Sequence, residues 1–308
     1  MTSRTPLASA VRRSFPRLFA LLIASIGLVL SGMTTREPAR EPFMSLGYAV
    51  LAGDFHVHGF PDGIPPWDAV REARRRRLDV IALTSHNSMR GWWLWRHAPV
   101  RPAAADDVIV LPGEELTSVG FHLALVGMQS TLPWRLTLAD ASAAAHAQGA
   151  VAILAHPSGK QFRQRLTDEG LRSVDGVEVA HPARETSEDA RKDFPIVYHH
   201  ALTLNPRVAA IGSSDFHYFG PIGVARTYVF VRERTADGVL EALRAGRTAA
   251  CDGRGNVYGP PAFASAIAER CRADQSSPPE GDTLASRAGT VLVWLGLVAL
   301  VLLGPSRT

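Results

Sequence analysis

The chain has 308 residues, 46% hydrophobic and 20% charged, with 26 Gly, 21 Pro and 2 Cys. That is enough to bury a core without staples, and it excludes collagen-like, disulfide-scaffold and wholly disordered classes. The formal charge of +4 sits in the first 42 residues, where six Arg face two Glu. The rest nets to zero, so the overall basic field that bulk nucleic-acid binding exploits is missing.

In chain order, the two ends stand apart from the body. Arg17 and Arg36 bracket 18 uncharged residues, and Leu18–Met33 is nearly all apolar; Arg287 and Arg307 bracket another 19. A membrane-spanning helix needs about 20 apolar residues. The expectation is a basic membrane anchor over 1–42 and a C-terminal transmembrane helix over 289–305, with a cleaved signal peptide as the alternative for the first. The Arg cluster ahead of Leu18 predicts a cytoplasmic N-terminus. The body is then extracytoplasmic, on the periplasmic side of a bacterial inner membrane. Residues 272–288, polar and rich in Pro and Ser, read as a linker. Cys251 and Cys271 would lie in an oxidising compartment, where two thiols are able to pair. Two separate thiols are nevertheless the expectation, because spacing alone supplies no pairing geometry.

Over 43–271, short apolar runs alternate with helical patterns. Strands are predicted at Ala52–His56, Val80–Thr84, Val108–Leu111, His122–Val126, Val151–Leu154, Val177–Val179, Ala209–Ile211 and Tyr228–Val231. Helices are predicted at Trp67–Arg77, Leu138–Gln148, Ser187–Ala201 and Thr235–Ala245. This alternation favours βα units and an α/β sheet or barrel. The chemistry-bearing residues collect where the strands end. His56 and His58 close the first strand at i, i+2, so they share a face and can grip one ion. His86 closes the second strand, Glu114-Glu115 the third, and His122 opens the next. His156 follows another strand, and Asp215 and His217 repeat the i, i+2 spacing. Polar groups at the carboxyl ends of parallel strands converge on one barrel mouth. Six His and at least two carboxylates there point to metal binding. His97, His146, His199 and His200 read as ordinary surface or packed histidines. Trp92, Trp93 and Trp95 read as core, as a ring-stacking wall or as an interfacial belt, with core the default for at least one.

At these residues the chain resembles the PHP (polymerase and histidinol phosphatase) family of metal-dependent phosphoesterases, from about Gly53 to Asp252. The family's opening strand is matched by Asp54, His56 and His58, and its following turn by Pro61-Asp62-Gly63. Thr84-Ser85-His86-Asn87 stands for Thr-Asp-His-Asn, with Ser for Asp. Gly113, Glu115 and Thr117 match Gly-x-Glu-x-Thr and select Glu115 over Glu114. His122, His156-Pro157, Asp215 and His217 complete the set. The resemblance implies a distorted (β/α)7 TIM-like barrel holding up to three divalent ions. Its metal ligands would be His56, His58, Asp62, His86, Glu115, His122, His156, Asp215 and His217.

A mixed imidazole and carboxylate set suits Mn, Zn or Fe, two or three ions, better than Ca or Mg alone. Glu115 is the natural bridge, and a water trapped between two ions becomes a hydroxide nucleophile near neutral pH. The expected function is therefore a membrane-anchored phosphoesterase acting on a small-molecule phosphate ester. The alternatives are a metallohydrolase of a non-phosphate ester or amide, and a non-catalytic metal-dependent sensor. His181, Lys160 and Arg163 are the candidates to protonate or neutralise the leaving group. For Lys160 and Arg163 a phosphate clamp and a solvated loop charge stand equal. The sequence carries no signal for oligomeric state.

Overall fold

The computed structural model describes residues 6–31, 43–98, 107–159, 165–218, 220–277 and 284–303. The chain divides into two compact units, Met1–Pro38 with Pro279–Thr308, and Ala39–Pro278.

The larger unit is built on one curled sheet. Its strands are β1 (Phe43–Ser45), β2 (Tyr48–Val57), β3 (Val80–Leu83), β4 (Ile109–Ser118), β5 (Phe121–Val126), β6 (Val151–Ala155), β7 (Gly176–Ala180), β8 (Ala209–Gly212), β9 (Arg226–Val231), β10 (Thr248–Cys251) and β11 (Val257–Tyr258). The order is β11-β10-β9-β2-β3-β4-β5-β6-β7-β8, with β1 paired to β2. The central strands read as continuous apolar runs because both faces are covered; β3, β6, β7, β8, β9 and β10 are buried along their whole length. The far end returns toward the near end at Gly212, whose N–H donates to Thr227 Oγ1 while the hydroxyl donates back to Gly212 O. A Cβ at Gly212 would collide with the Arg226 backbone, so only glycine lets these strands approach. The result is a nearly closed barrel of TIM-like α/β type.

The barrel is mixed rather than a strict βα repeat. The β2–β3, β3–β4, β6–β7 and β7–β8 pairs are parallel. Strand β5 is antiparallel to both β4 and β6, and β9 to both β2 and β10. The Ser118–Phe121 hairpin has Gly120 at φ +96°, a conformation glycine adopts freely. Reversing β5 brings its first residues, His122 among them, to the end where β4 and β6 expose their carboxyl-terminal residues. Helices Pro66–Arg75, Leu138–Ala147, Glu188–Leu204 and Ala236–Arg244 pack outside the sheet. Three of them start at hydroxyl caps, Thr137, Ser187 and Thr235, each accepting an N–H of the first turn. The helix Pro261–Ser276 carries residues 272–276 of the stretch expected as a linker.

The two ends do not form membrane spans. They are helices, Pro6–Ser31 and Leu284–Leu302, but among the described residues no helix is long and apolar enough to cross a membrane. Counted from the last interrupting Arg, the apolar stretches run over 18–30 and 288–302. At a rise of 1.5 Å per residue these reach about 20 and 22 Å, against a hydrocarbon core of about 30 Å. The flanking transmembrane helices, the membrane anchoring and the periplasmic placement expected from the sequence therefore fall together. The two helices instead pack on each other. A Cβ at Gly27 would strike the backbone of Gly289 and Val293, and one at Gly296 the backbone of Ala20 and Ala24.

Cys251, at the end of β10, and Cys271, in the helix Pro261–Ser276, form a disulfide with Cα atoms 5.9 Å apart, where separate thiols were expected. The fold supplies the proximity that spacing could not. The bridge closes a loop with a sequence separation of 20, which corresponds to about 3 kcal/mol of stabilisation on chain-entropy grounds. Urea denaturation of the wild type and of Cys251→Ala/Cys271→Ala should show a loss of that order. An unchanged midpoint would contradict the role of the bridge.

Candidate metal centre

The first strand of the mouth, β2, ends with alternate side chains on opposite faces. Phe55 and Val57 enter the core, while His56 and His58 turn to the mouth, and all four are fully buried. Asp54 anchors this end. Its carboxylate accepts from the N–H groups of Ser214 (3.1 Å), Gly223 (2.8 Å) and His56 (3.2 Å), tying the loop that carries Asp215 and His217 to β2. Asp62 lies on the turn after β2, accepting from His86 N–H (2.6 Å) and facing His58 Nδ1 (3.2 Å). A Cβ at Gly63 would collide with His58 O, so the turn closes only with glycine there.

Glu115 occupies the middle. It is fully buried, and its oxygens face five imidazoles. Oε1 lies 2.7 Å from His122 Nδ1 and 3.1 Å from His156 Nε2. Oε2 lies 2.6 Å from His86 Nδ1 and 3.4 Å from both His56 Nε2 and His58 Nε2. Burial pushes its pKa up, but the charge of His56 and the hydrogen bonds of His122 and His156 outweigh this and hold it well below the usual range. Asp215 is likewise driven far down against its burial, by His56, His181 and His58. Its Oδ1 lies 3.3 Å from His56 Nε2 and 3.2 Å from His58 Nε2. His156 and Asp215 take φ of +29° and +49°, and Asn87, beside His86, +45°. Such backbone strain in non-glycine residues clusters at functional sites.

The hydrogen-bond roles ask for a cation. A carboxylate or carbonyl oxygen only accepts, so a ring nitrogen hydrogen-bonded to it carries the proton. His56 Nδ1 donates to Glu178 Oε1 (2.9 Å), His58 Nδ1 to Asp62, and His217 Nδ1 to Asp215 O (3.0 Å). His86 Nδ1 faces Thr117 Oγ1 (2.8 Å) and Glu115. The Nε2 atoms of these rings therefore present lone pairs inward. Those of His86 and His217 are 3.3 Å apart, and those of His56 and His58 point at carboxylate oxygens. His56 Nε2, His58 Nε2, Glu115 Oε2, Asp215 Oδ1 and Asp62 Oδ1 are buried without a hydrogen-bond partner. Acceptors converging on acceptors are stable only around positive charge. The raised pKa of His56, where Asp215, Glu115 and Glu178 overcome burial, expresses the same demand as a proton. The donors fall into two sets, each within 4.8 Å: His58, His86 and His217; and His56, Glu115, His156 and Asp215. Residues and chemistry fit divalent ions.

His122 and Asp62 stand beside these sets rather than in them, against Glu115 and His58 respectively. His181 follows β7 and is nearly buried, its Nε2 3.6 Å from Asp215 Oδ2. Lys160 and Arg163 lie outside the described residues. Trp95 is core, whereas Trp93 is exposed and lies against His97 with tilted rings 4.7 Å apart. Glu114 points away from the mouth, fully buried, accepting from Leu132 N–H (2.7 Å). One residue of the mouth escaped the sequence reading. Glu178 is fully buried beside His56 and His156, and its signal was a single acid inside the apolar run Val177–Val179.

A PHP-associated family matches residues 207–248. A two-domain protein from Bacteroides vulgatus, containing a predicted PHP-like metal-dependent phosphoesterase, is 25% identical over 77% of this chain and 75% of its own, with a TM-score of 0.56. PsfC from Pseudomonas syringae is 18% identical over 74% of this chain and 98% of its own, with a TM-score of 0.47. The lesion-specific endonuclease PfuEndoQ from Pyrococcus furiosus is 13% identical over 63% and 56%, with a TM-score of 0.42. The last two carry no weight here. No curated protein sequence matches the chain. The family match and the Bacteroides likeness support a PHP-domain phosphoesterase, a metal-dependent hydrolase acting on ester bonds.

Two outcomes follow from the Glu114-Glu115 pair. Glu115→Gln should cut turnover by at least ~10²-fold, the order seen on disabling an electrostatic catalyst, while Glu114→Gln stays within a few fold. The reverse result would place the register of β4 one residue out. Burial also pushes the Glu114 carboxyl up to about 7, from an ordinary 4.5. Above about pH 4.5 the unfolded chain has lost this proton while the folded chain keeps it. Stability therefore falls as pH rises to about 7 and is level beyond, a loss on the order of 3 kcal/mol. Glu114→Gln should abolish that loss and be more stable than wild type at about pH 8, which denaturant midpoints at two pH values measure. Equal pH dependence in both proteins would contradict the assignment.

Proposed function

We propose that the mouth hydrolyses small-molecule phosphate esters using two or three divalent ions, Mn, Zn or Fe, held by His56, His58, Asp62, His86, Glu115, His122, His156, Asp215 and His217. The observation that carries this reading is the inward convergence of unpartnered Nε2 and carboxylate atoms around Glu115. When bound, the ions supply Lewis acidity toward phosphoryl oxygens and lower the pKa of a water held between them. Mixed imidazole and carboxylate donors favour these metals over Ca or Mg alone.

The chain's own contribution is orientation and proton placement. Glu115 sits between the two donor sets and serves both. Asp54 fixes the register of β2 against the Asp215–His217 loop, so ligands distant in sequence arrive together. His181 Nδ1 accepts the Ala183 N–H (3.1 Å), which leaves its proton on Nε2, beside Asp215. That N–H is placed to bind a phosphoryl oxygen or to serve the leaving oxygen. The assignment of Lys160 and Arg163 as phosphate clamps rests on their place in the chain after His156-Pro157.

The purified protein, assayed with an aryl phosphate monoester and an aryl carboxylate ester, should hydrolyse the phosphate only with Mn²⁺ present, lose activity to a chelator and regain it on Mn²⁺ addition. His56→Ala and His58→Ala should each lower bound metal by elemental analysis and remove activity. Wild-type metal content with normal turnover in both variants, or hydrolysis of the carboxylate ester alone, would overturn the proposal.

A further inference from the structure

Glu178 is a buried acid of the mouth that stands behind the donor sets rather than in them. It projects from β7 between Val177 and Val179, is fully buried, and its charged neighbours among the described residues are histidines. Burying a carboxylate costs several kcal/mol unless hydrogen bonds and charge compensate. Both oxygens are used. Oε1 lies 2.9 Å from His56 Nδ1, and Oε2 accepts the His156 N–H at 2.7 Å. One carboxylate thus joins the ends of β2, β6 and β7, and it holds the backbone of His156 where φ is positive.

From this geometry we propose that Glu178 is a positioning residue that fixes the His56 proton on Nδ1 and so reserves Nε2 as a metal donor. An ionised carboxylate has no proton to give, so His56 Nδ1 must donate. Nε2 then carries the lone pair, aimed between Glu115 Oε2 and Asp215 Oδ1. Carboxylates behind metal-binding histidines orient the ring and raise its basicity, and their loss costs about 10–100-fold in metal affinity. His58 has the same arrangement with Asp62, four residues on; for His56 the carboxylate comes from a strand 122 residues away. The inference rests on the metal-site reading above.

The informative variant is Glu178→Gln, which keeps the shape but changes the roles. If the amide oxygen accepts the His156 N–H, its NH₂ faces His56 Nδ1, which must then accept, and the ring proton moves to Nε2. If the amide is flipped, its NH₂ meets the His156 N–H, donor against donor. The first arrangement keeps both hydrogen bonds and is therefore the favoured one, and it takes the lone pair away from Nε2.

The test combines Mn²⁺ titrations of the wild type, Glu178→Gln, His56→Ala and the double variant with two-bond ¹⁵N–¹H spectra of the metal-free imidazoles, recorded at a pH high enough for His56 to be neutral. Glu178→Gln should weaken Mn²⁺ binding by about 10–100-fold and move the His56 proton to Nε2. In the His56→Ala background it should add no further loss. Unchanged affinity, an unchanged tautomer or an equal loss without His56 would overturn the proposal; a purely structural Glu178 would lower the melting temperature alone. Where Glu178→Gln does not fold, the wild-type spectrum decides: a proton on His56 Nδ1 supports the proposal and one on Nε2 ends it. A wild type that binds no Mn²⁺ overturns the metal reading itself. A wild type that binds Mn²⁺, with Glu178→Gln binding it equally well, overturns only the role of Glu178.

Discussion

A carboxylate at the bottom of a protein cavity is expensive, and Glu115 is fully buried with both oxygens turned toward imidazole nitrogens. Its position on β4 obliges the neighbouring strands to bring positive charge, or ligands for it, to the same point. The i, i+2 pair of β2 supplies two rings and the turn after β3 a third. The remaining two rings that face Glu115 come from the start of β5 and the end of β6. Each of these elements has its mouth end where its side chain meets Glu115, and three of the rings are in turn held by Asp62, Thr117 and Glu178.

The mixed topology follows the same demand. A parallel β5 would open at the closed end of the barrel and carry His122 there. The tight Ser118–Phe121 reversal instead delivers His122 opposite Thr117, at the mouth. Asp54 performs the equivalent service across the seam, where its carboxylate takes three backbone N–H groups and fixes Ser214 and Gly223 against β2. The positive φ at His156 and Asp215 is the local cost of aiming both side chains at one point.

Much of this was legible in the sequence because strand geometry is short-ranged. Alternation placed His56 and His58 on one face, and apolar runs bounded the strands whose ends carry His86, His156 and Asp215. The Gly-x-Glu-x-Thr pattern pointed to Glu115, and the structure turns Glu115 to the mouth and Glu114 away from it. What could not be read depends on contacts between distant segments. Glu178 gives no local sign of its partner His56, and Cys251 and Cys271 meet only because the last helix folds back on β10. The terminal helices mislead for a different reason. Lack of charge over 18 or 19 residues is not the same as apolar length, and small residues such as Gly27 and Gly296 serve close helix packing.

The central claim is that the inward-facing acceptors around Glu115 are metal donors. Crystals of the protein soaked in Mn²⁺ and measured at a wavelength sensitive to manganese test it most directly. The account predicts anomalous density at two places. One lies among His56, Glu115, His156 and Asp215, the other among His58, His86 and His217. A protein whose anomalous density lies elsewhere, or that shows none while retaining phosphate ester hydrolysis, would contradict it.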